Sequence, residues 1–205
     1  MKLCYIGLHA ILEFEELKLF NELGIDCFSL GGAYTDPRGN KLLPRPEIPE
    51  LTYYPDLEEQ SRKFPRTDIP IEFINKFDVI YITGGMHDVP VISLNWKRFS
   101  QKKVIWRSIG QSNKDTEKNL SPFKNQGMKV VRCSPKERLL PNYMGEHAVI
   151  RFYKDPEEFK DWNGNTKQVI NVSQSLKSRR NHCHYNEIMT LMQGHPAKVY
   201  GSGNE

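Results

Sequence analysis

Lys2-Leu3-Cys4-Tyr5-Ile6-Gly7 opens the chain as a short apolar run closed by glycine, and the stretch it begins decides the fold. Phe14, Leu17, Phe20 and Leu23 then recur every three residues, with acids early and Gly24 as a stop. That is the pattern of a helix laid on a core. Asp26-Cys27-Phe28-Ser29-Leu30 reads as a second strand, ended by Gly31-Gly32. Strand, helix and strand in quick succession are the opening of an alternating α/β fold.

The alternation resumes further along. Asp78-Val79-Ile80-Tyr81-Ile82-Thr83 is a nearly continuous apolar run closed by Gly84-Gly85, as expected of a strand buried on both faces. Asp88 to Phe99 predicts a helix with Pro90 in its first turn. Lys103 to Ser108 reads as a strand, Gln111 onward as a loop and helix, Met128 to Cys133 and Ala148 to Tyr153 as strands. Between the two regular parts, Ala33 to Pro70 holds seven of the 13 prolines and predicts a long irregular excursion. The expected fold is α/β: a Rossmann-like parallel sheet with helices on both faces over residues 1–154. Residues 155–167, with Trp162-Asn163-Gly164-Asn165, read as a linker. Residues 168–205 then start a second β-α-β unit, with a strand at 168–172, a helix over Asn181 to Gln193 and a strand over Ala197 to Tyr200. So short a unit cannot close a core of its own and reads as the incomplete start of a second domain.

Composition bounds the rest. The chain has 205 residues, 38% of them hydrophobic, with 10 Phe, 9 Tyr and 3 Trp, enough for a sizeable core. No run approaches the ~20 apolar residues that span a bilayer, and the opening residues are too few for a secretory signal. A cytoplasmic protein without a membrane span is the expectation. The balance of 29 basic against 25 acidic residues is dispersed along the chain, which argues against a nucleic-acid footprint. The densest basic spot, Lys177-Ser178-Arg179-Arg180, suits a phosphate or two. Cys4, Cys27, Cys133 and Cys183 are widely spaced and read as reduced core thiols.

Ligands of open α/β sheets bind beyond the carboxyl ends of the strands. Three loops there pair glycine with a group able to move a proton or hold an anion: Gly7-Leu8-His9, Gly84-Gly85-Met86-His87-Asp88, and Arg107-Ser108-Ile109-Gly110-Gln111-Ser112. His9 suits a general base or a helix-capping histidine. His87 with Asp88 suits a base–acid pair, with Asp88 as a helix N-cap the plainer alternative. Arg107 suits a carboxylate or phosphate, or else a surface salt bridge. Lys177, Arg179 and Arg180, ahead of the Asn181 helix, suit a diphosphate. His182-Cys183-His184 does not suit a metal, because positions i and i+2 of a helix diverge. No G-x-G-x-x-G follows the first strand, which disfavours a dinucleotide oxidoreductase. Nor is there a Walker A, a G-x-S-x-G or a D-x-D triplet.

Together, Ile6-Gly7-Leu8-His9, Phe28-Ser29-Leu30-Gly31, Thr83-Gly84-Gly85, Val104 to Ser112 and the restart at Val169 to Val172 near Arg179 resemble glycosyltransferases of the GT-B fold, which have two facing Rossmann-like domains. The resemblance implies an acceptor-side domain followed by part of a donor-side domain. It implies metal-independent transfer of a sugar from a nucleotide-diphosphate sugar to a hydroxyl acceptor, with no cofactor beyond that substrate. His9, His87 and Asp88 become catalytic candidates. Gly7, Gly84, Gly85, Arg107 and Gln111 would line the cleft, and Lys177, Arg179 and Arg180 would meet the diphosphate. A second chain or a homo-oligomer would complete the donor half. The alternative is a non-catalytic carbohydrate- or nucleotide-binding module derived from the same fold.

Overall fold

A computed structural model describes residues 1–7, 10–30, 54–84, 88–110, 113–152, 169–172, 185–193 and 197–200. The chain divides into two compact units, Met1–Lys154 and Asp155–Glu205. The first is a six-stranded, all-parallel sheet of order β2-β1-β3-β4-β5-β6. Its strands are β1 (Lys2–Gly7), β2 (Asp26–Ser29), β3 (Val79–Gly84), β4 (Lys103–Ser108), β5 (Lys129–Arg132) and β6 (Ala148–Val149). Helices α1 (Ala10–Glu22), α2 (Pro55–Ser61), α3 (Ile71–Ile74), α4 (Asp88–Phe99) and α5 (Lys114–Asn125) connect them. This is the Rossmann-like α/β architecture expected from the alternation of runs.

The apolar runs become the inner strands because both of their faces are covered. All six residues of β3, and Leu3 through Gly7 of β1, are buried. One face carries Cys4, Ile6, Phe28, Ile80, Ile82, Val104 and Trp106, packed under Leu57 of α2, Phe73 and Ile74 of α3, Ile92 and Phe99 of α4 and Leu120 of α5. The other face carries Leu3, Tyr5, Val79 and Tyr81, under Leu17 and Phe20 of α1. Helix α1 ends as its glycine requires. Gly24 takes φ +69, its N–H reaches Asn21 O, and Ile25 N–H reaches Phe20 O at 2.8 Å, a Schellman closure. At the other end of the sheet, Asn113 caps α5, its side-chain oxygen accepting from Asp115 N and Thr116 N.

Two expectations need correction. The excursion at Ala33 to Pro70 is not irregular throughout: α2 lies inside it, with Pro55 at the start of the helix, where a missing N–H costs nothing. Residues 33–53 lie outside the described residues. The strand expected over Ala148 to Tyr153 shrinks to Ala148–Val149. β5 stops at Arg132 because Ser134 and Glu137 close a capping box that turns the chain into a short 3-10 helix, Pro135–Leu139. Only Val131 and Arg132 are left to pair with β6, and Ile150 and Phe152 beyond it are exposed.

In the second unit, β7 (Val169–Val172) and β8 (Ala197–Tyr200) pair in parallel, joined through α6 (Tyr185–Met192). The linker expected at 155–167 lies outside the described residues. Among the described residues, no helix is long and apolar enough to cross a membrane.

Candidate functional site

The chain leaves β1 for β2 on one side and builds β3 onward on the other. The strand order therefore switches direction between β1 and β3, the place where open α/β sheets leave a crevice at their carboxyl edge. Gly7 and Gly84 end the two strands there. Gly7 leaves no room for a side chain: a Cβ would stand 2.5 Å from Tyr5 Cε1 and 3.1 Å from Thr83 Oγ1. At Gly84 a Cβ would meet the Asp88 carboxylate, with Oδ2 at 2.7 Å.

Towards this edge the α1-covered face turns from apolar to polar. Leu3 gives way to Tyr5, Val79 to Tyr81 and Thr83, and Ile105 to Arg107. Glu16 of α1 comes down onto the group. It accepts from Tyr5 Oη at 2.7 Å and from Tyr81 Oη at 3.4 Å, and Arg107 Nε lies 2.7 Å from its Oε1. Thr83 Oγ1 shares a hydrogen bond with Tyr5 Oη at 3.0 Å. One turn earlier, Glu13 accepts from Ser29 Oγ. Burial raises the Glu16 carboxyl above its ordinary value, against the pull of Arg107, Tyr5 and Tyr81. Burial first, and then the Glu16 charge, push both phenols well up, so they remain donors.

On the opposite face, Asp88 opens α4 and is 1% exposed. Its Oδ2 accepts from Trp106 Nε1 at 2.9 Å. Burial lifts its carboxyl to about 7, opposed by the Trp106 hydrogen bond and by Arg66. Arg66 reaches the crevice from the loop between α2 and α3 and donates through Nη1 to Gly7 O at 3.2 Å. Asn95, fully buried on α4, fixes that loop: Oδ1 accepts from Ile69 N and Nδ2 donates to Arg66 O, each at 2.8 Å. Beyond β4, Arg132 pairs twice with Glu117 at 2.6 and 2.7 Å, and Ser108 Oγ donates to Glu137 at 2.5 Å. This second buried network ties β4, β5, α5 and the 3-10 helix together.

Of the residues singled out from sequence, Gly7, Gly84 and Asp88 converge at the crevice. Asp88 is not an N-cap, since it is the first residue of α4 and its carboxylate turns to Trp106. Arg107 is not a surface ion pair. It is 2% exposed, and it also donates to Arg151 O and lies over the Phe152 ring. Its contact with Glu16 is one of charge, the Nε–H having no acceptor in line. His9, Gly85, His87, Gln111, Lys177, Arg179 and Arg180 lie outside the described residues. Sequence reading missed Glu13, Glu16, Tyr5, Tyr81 and Arg66. The available signal was Glu13, Glu16, Leu17 and Phe20 at i, i+3, i+4 and i+7, a single helix face in which the two acids precede the two apolar residues.

The fold defines a Rossmann-like α/β domain whose strand order reverses between β1 and β3. No protein-family model matches the chain, and no curated protein sequence matches it. Among solved structures, the crystal structure of Acinetobacter baumannii MurG is similar at a TM-score of 0.36 and 10% identity, over 98% of this chain and 60% of that one. The chain thus spans less than two thirds of the MurG chain.

Proposed function

We propose that this chain is the acceptor-side part of a glycosyltransferase, moving a sugar from a nucleotide-diphosphate sugar to a hydroxyl acceptor. The observation that supports the reading is the switch point itself, where β1 and β3 end in Gly7 and Gly84 and Arg66, Asp88 and Glu13 gather around them. In the reaction, the acceptor oxygen bonds to the anomeric carbon as the bond from that carbon to the diphosphate breaks. The hydroxyl proton passes to a base, and the diphosphate leaves with the electron pair. His9 or His87 is the base in this reading. Asp88, buried beneath Gly84, acts as a positioning residue whose charge is felt through its neighbours. Lys177, Arg179 and Arg180 steady the leaving diphosphate without a metal, and Gln111 lines the cleft. A second chain or a second copy supplies the rest of the donor side.

The second reading is a non-catalytic carbohydrate- or nucleotide-binding module. It draws on Glu16 and Arg107, a buried pair of opposite charge that neither presents to solvent. A panel of UDP, GDP, their sugars and NAD(P), with thermal shift and product release followed together, separates the two. Release of nucleoside diphosphate that His9→Ala abolishes is the expected result. A shift of several degrees without release selects the module, and a shift with NAD(P) alone overturns the glycosyltransferase reading.

A further inference from the structure

Three arginines reach the interior of the first unit, and they differ in one respect. Arg107 faces Glu16 at 2.7 Å and Arg132 grips Glu117 with both arms of its fork. Arg66, half-buried, forms no ion pair among the described residues, and its hydrogen bond goes to a backbone carbonyl, Gly7 O. Two carboxylates stand close enough for their charge to be felt, Glu13 and Asp88. Each is engaged elsewhere, Glu13 by Ser29 and Asp88 by Trp106. A desolvated guanidinium without a carboxylate in contact is costly unless something else uses its donors. This one is also held in place, because Asn95 pins its own carbonyl and the N–H of Ile69 to α4. Its contact with Gly7 O sets the guanidinium at the carboxyl end of β1, where the strand order reverses.

We propose that Arg66 is the anion-recognition residue of the crevice and takes an oxyanion, a carboxylate or a phosphate, carried by the acceptor. The inference rests on reading the crevice as the acceptor site and narrows the acceptor to an acidic one. The neighbouring acids do not defeat it. Among the described residues, the charged groups acting on Arg66 are Glu13 from α1 and Asp88 from α4, and Asp88 in turn meets Arg66 and the neutral Trp106 donor on β4. Asp88 is partly protonated near neutral pH, so an arriving anion meets less neighbouring negative charge than two ionised carboxylates would present.

The test is calorimetric titration of the full chain with inorganic phosphate, pyrophosphate and acetate, alongside Arg66→Lys and Arg66→Ala. The Arg66 side-chain N–H signal is followed by NMR in the unsubstituted protein, which needs no variant to fold. The expected result is binding of at least one anion, movement of the Arg66 signal, and a loss of about tenfold or more in Arg66→Ala with a smaller loss in Arg66→Lys. Preference for phosphate over acetate, or the reverse, identifies the acceptor's acid. No binding by the unsubstituted protein, or an Arg66 signal that stays still while anions bind, overturns the proposal. The two readings fail separately. Sugar transfer that treats acidic and neutral acceptors alike, unchanged by Arg66→Lys, sinks the role of Arg66 alone. Arg66-dependent anion binding with no transfer to any acceptor sinks the transferase reading alone.

Discussion

Asp88 carries the clearest residue-scale consequence. Its carboxyl sits at about 7 in the folded chain against an ordinary 3.8, so the folded chain holds the proton more tightly than the unfolded one. That contribution is fully present below about pH 4 and is lost as pH rises through 7. The gap corresponds to ~4 kcal/mol at ~1.4 kcal/mol per pH unit. Asp88→Asn keeps an acceptor for Trp106 and removes the charge. Urea unfolding should therefore show the variant gaining on the parent from pH 4 upward and levelling off above 7; a difference independent of pH would remove the argument. The Glu16–Arg107 pair behaves differently, because its cost and its gain are shared. Removing either partner should cost roughly 3–5 kcal/mol, since a buried charge is left behind. Glu16→Leu with Arg107→Met together should cost much less than the sum, as a double-mutant cycle in urea would show.

Among elements, the junction of β3 and α4 is the tightest. Gly84→Ala would set a methyl 2.7 Å from Asp88 Oδ2 and 2.8 Å from its Cγ, forcing the carboxylate off Trp106. A loss of ~1–3 kcal/mol is expected, read as a lower melting temperature with a displaced Trp106 indole N–H resonance. The same junction shows what sequence could and could not tell. β3, α4 and β4 were legible because a buried parallel strand is a continuous apolar run and a proline fits a first helical turn. The role of Asp88 was not, because its partner Trp106 lies 18 residues away on another strand. α1 was legible as a helix yet misjudged in its facing. A strict three-residue spacing puts Leu23 on the buried side, where it is 65% exposed, while Glu13 and Glu16 go under. Nothing local says that a glutamate will be buried until two tyrosines and an arginine from β1, β3 and β4 stand beneath it. Arg66 was hidden for the same reason, its contact with Gly7 spanning 59 residues of a proline-rich stretch.

At the scale of the molecule, both core clusters lie within the first unit. Residues 1–154 expressed alone should give one cooperative thermal transition; a broad, non-cooperative melt would mean that the remaining residues are part of the same folding unit. The strand order has a consequence in time. β1 is an inner strand and is synthesised first, yet its neighbour β3 arrives far later, Lys2 N meeting Asp78 across 76 residues. Closing so long a loop before any reward from pairing is slow, so stopped-flow refolding should run in milliseconds to seconds rather than microseconds. On the ribosome, the nascent chain carries a finished apolar strand with one side vacant while dozens of further residues are added. Until β3 emerges, that vacancy is open to any other extended segment nearby, and molecular chaperones would have most to do in that interval.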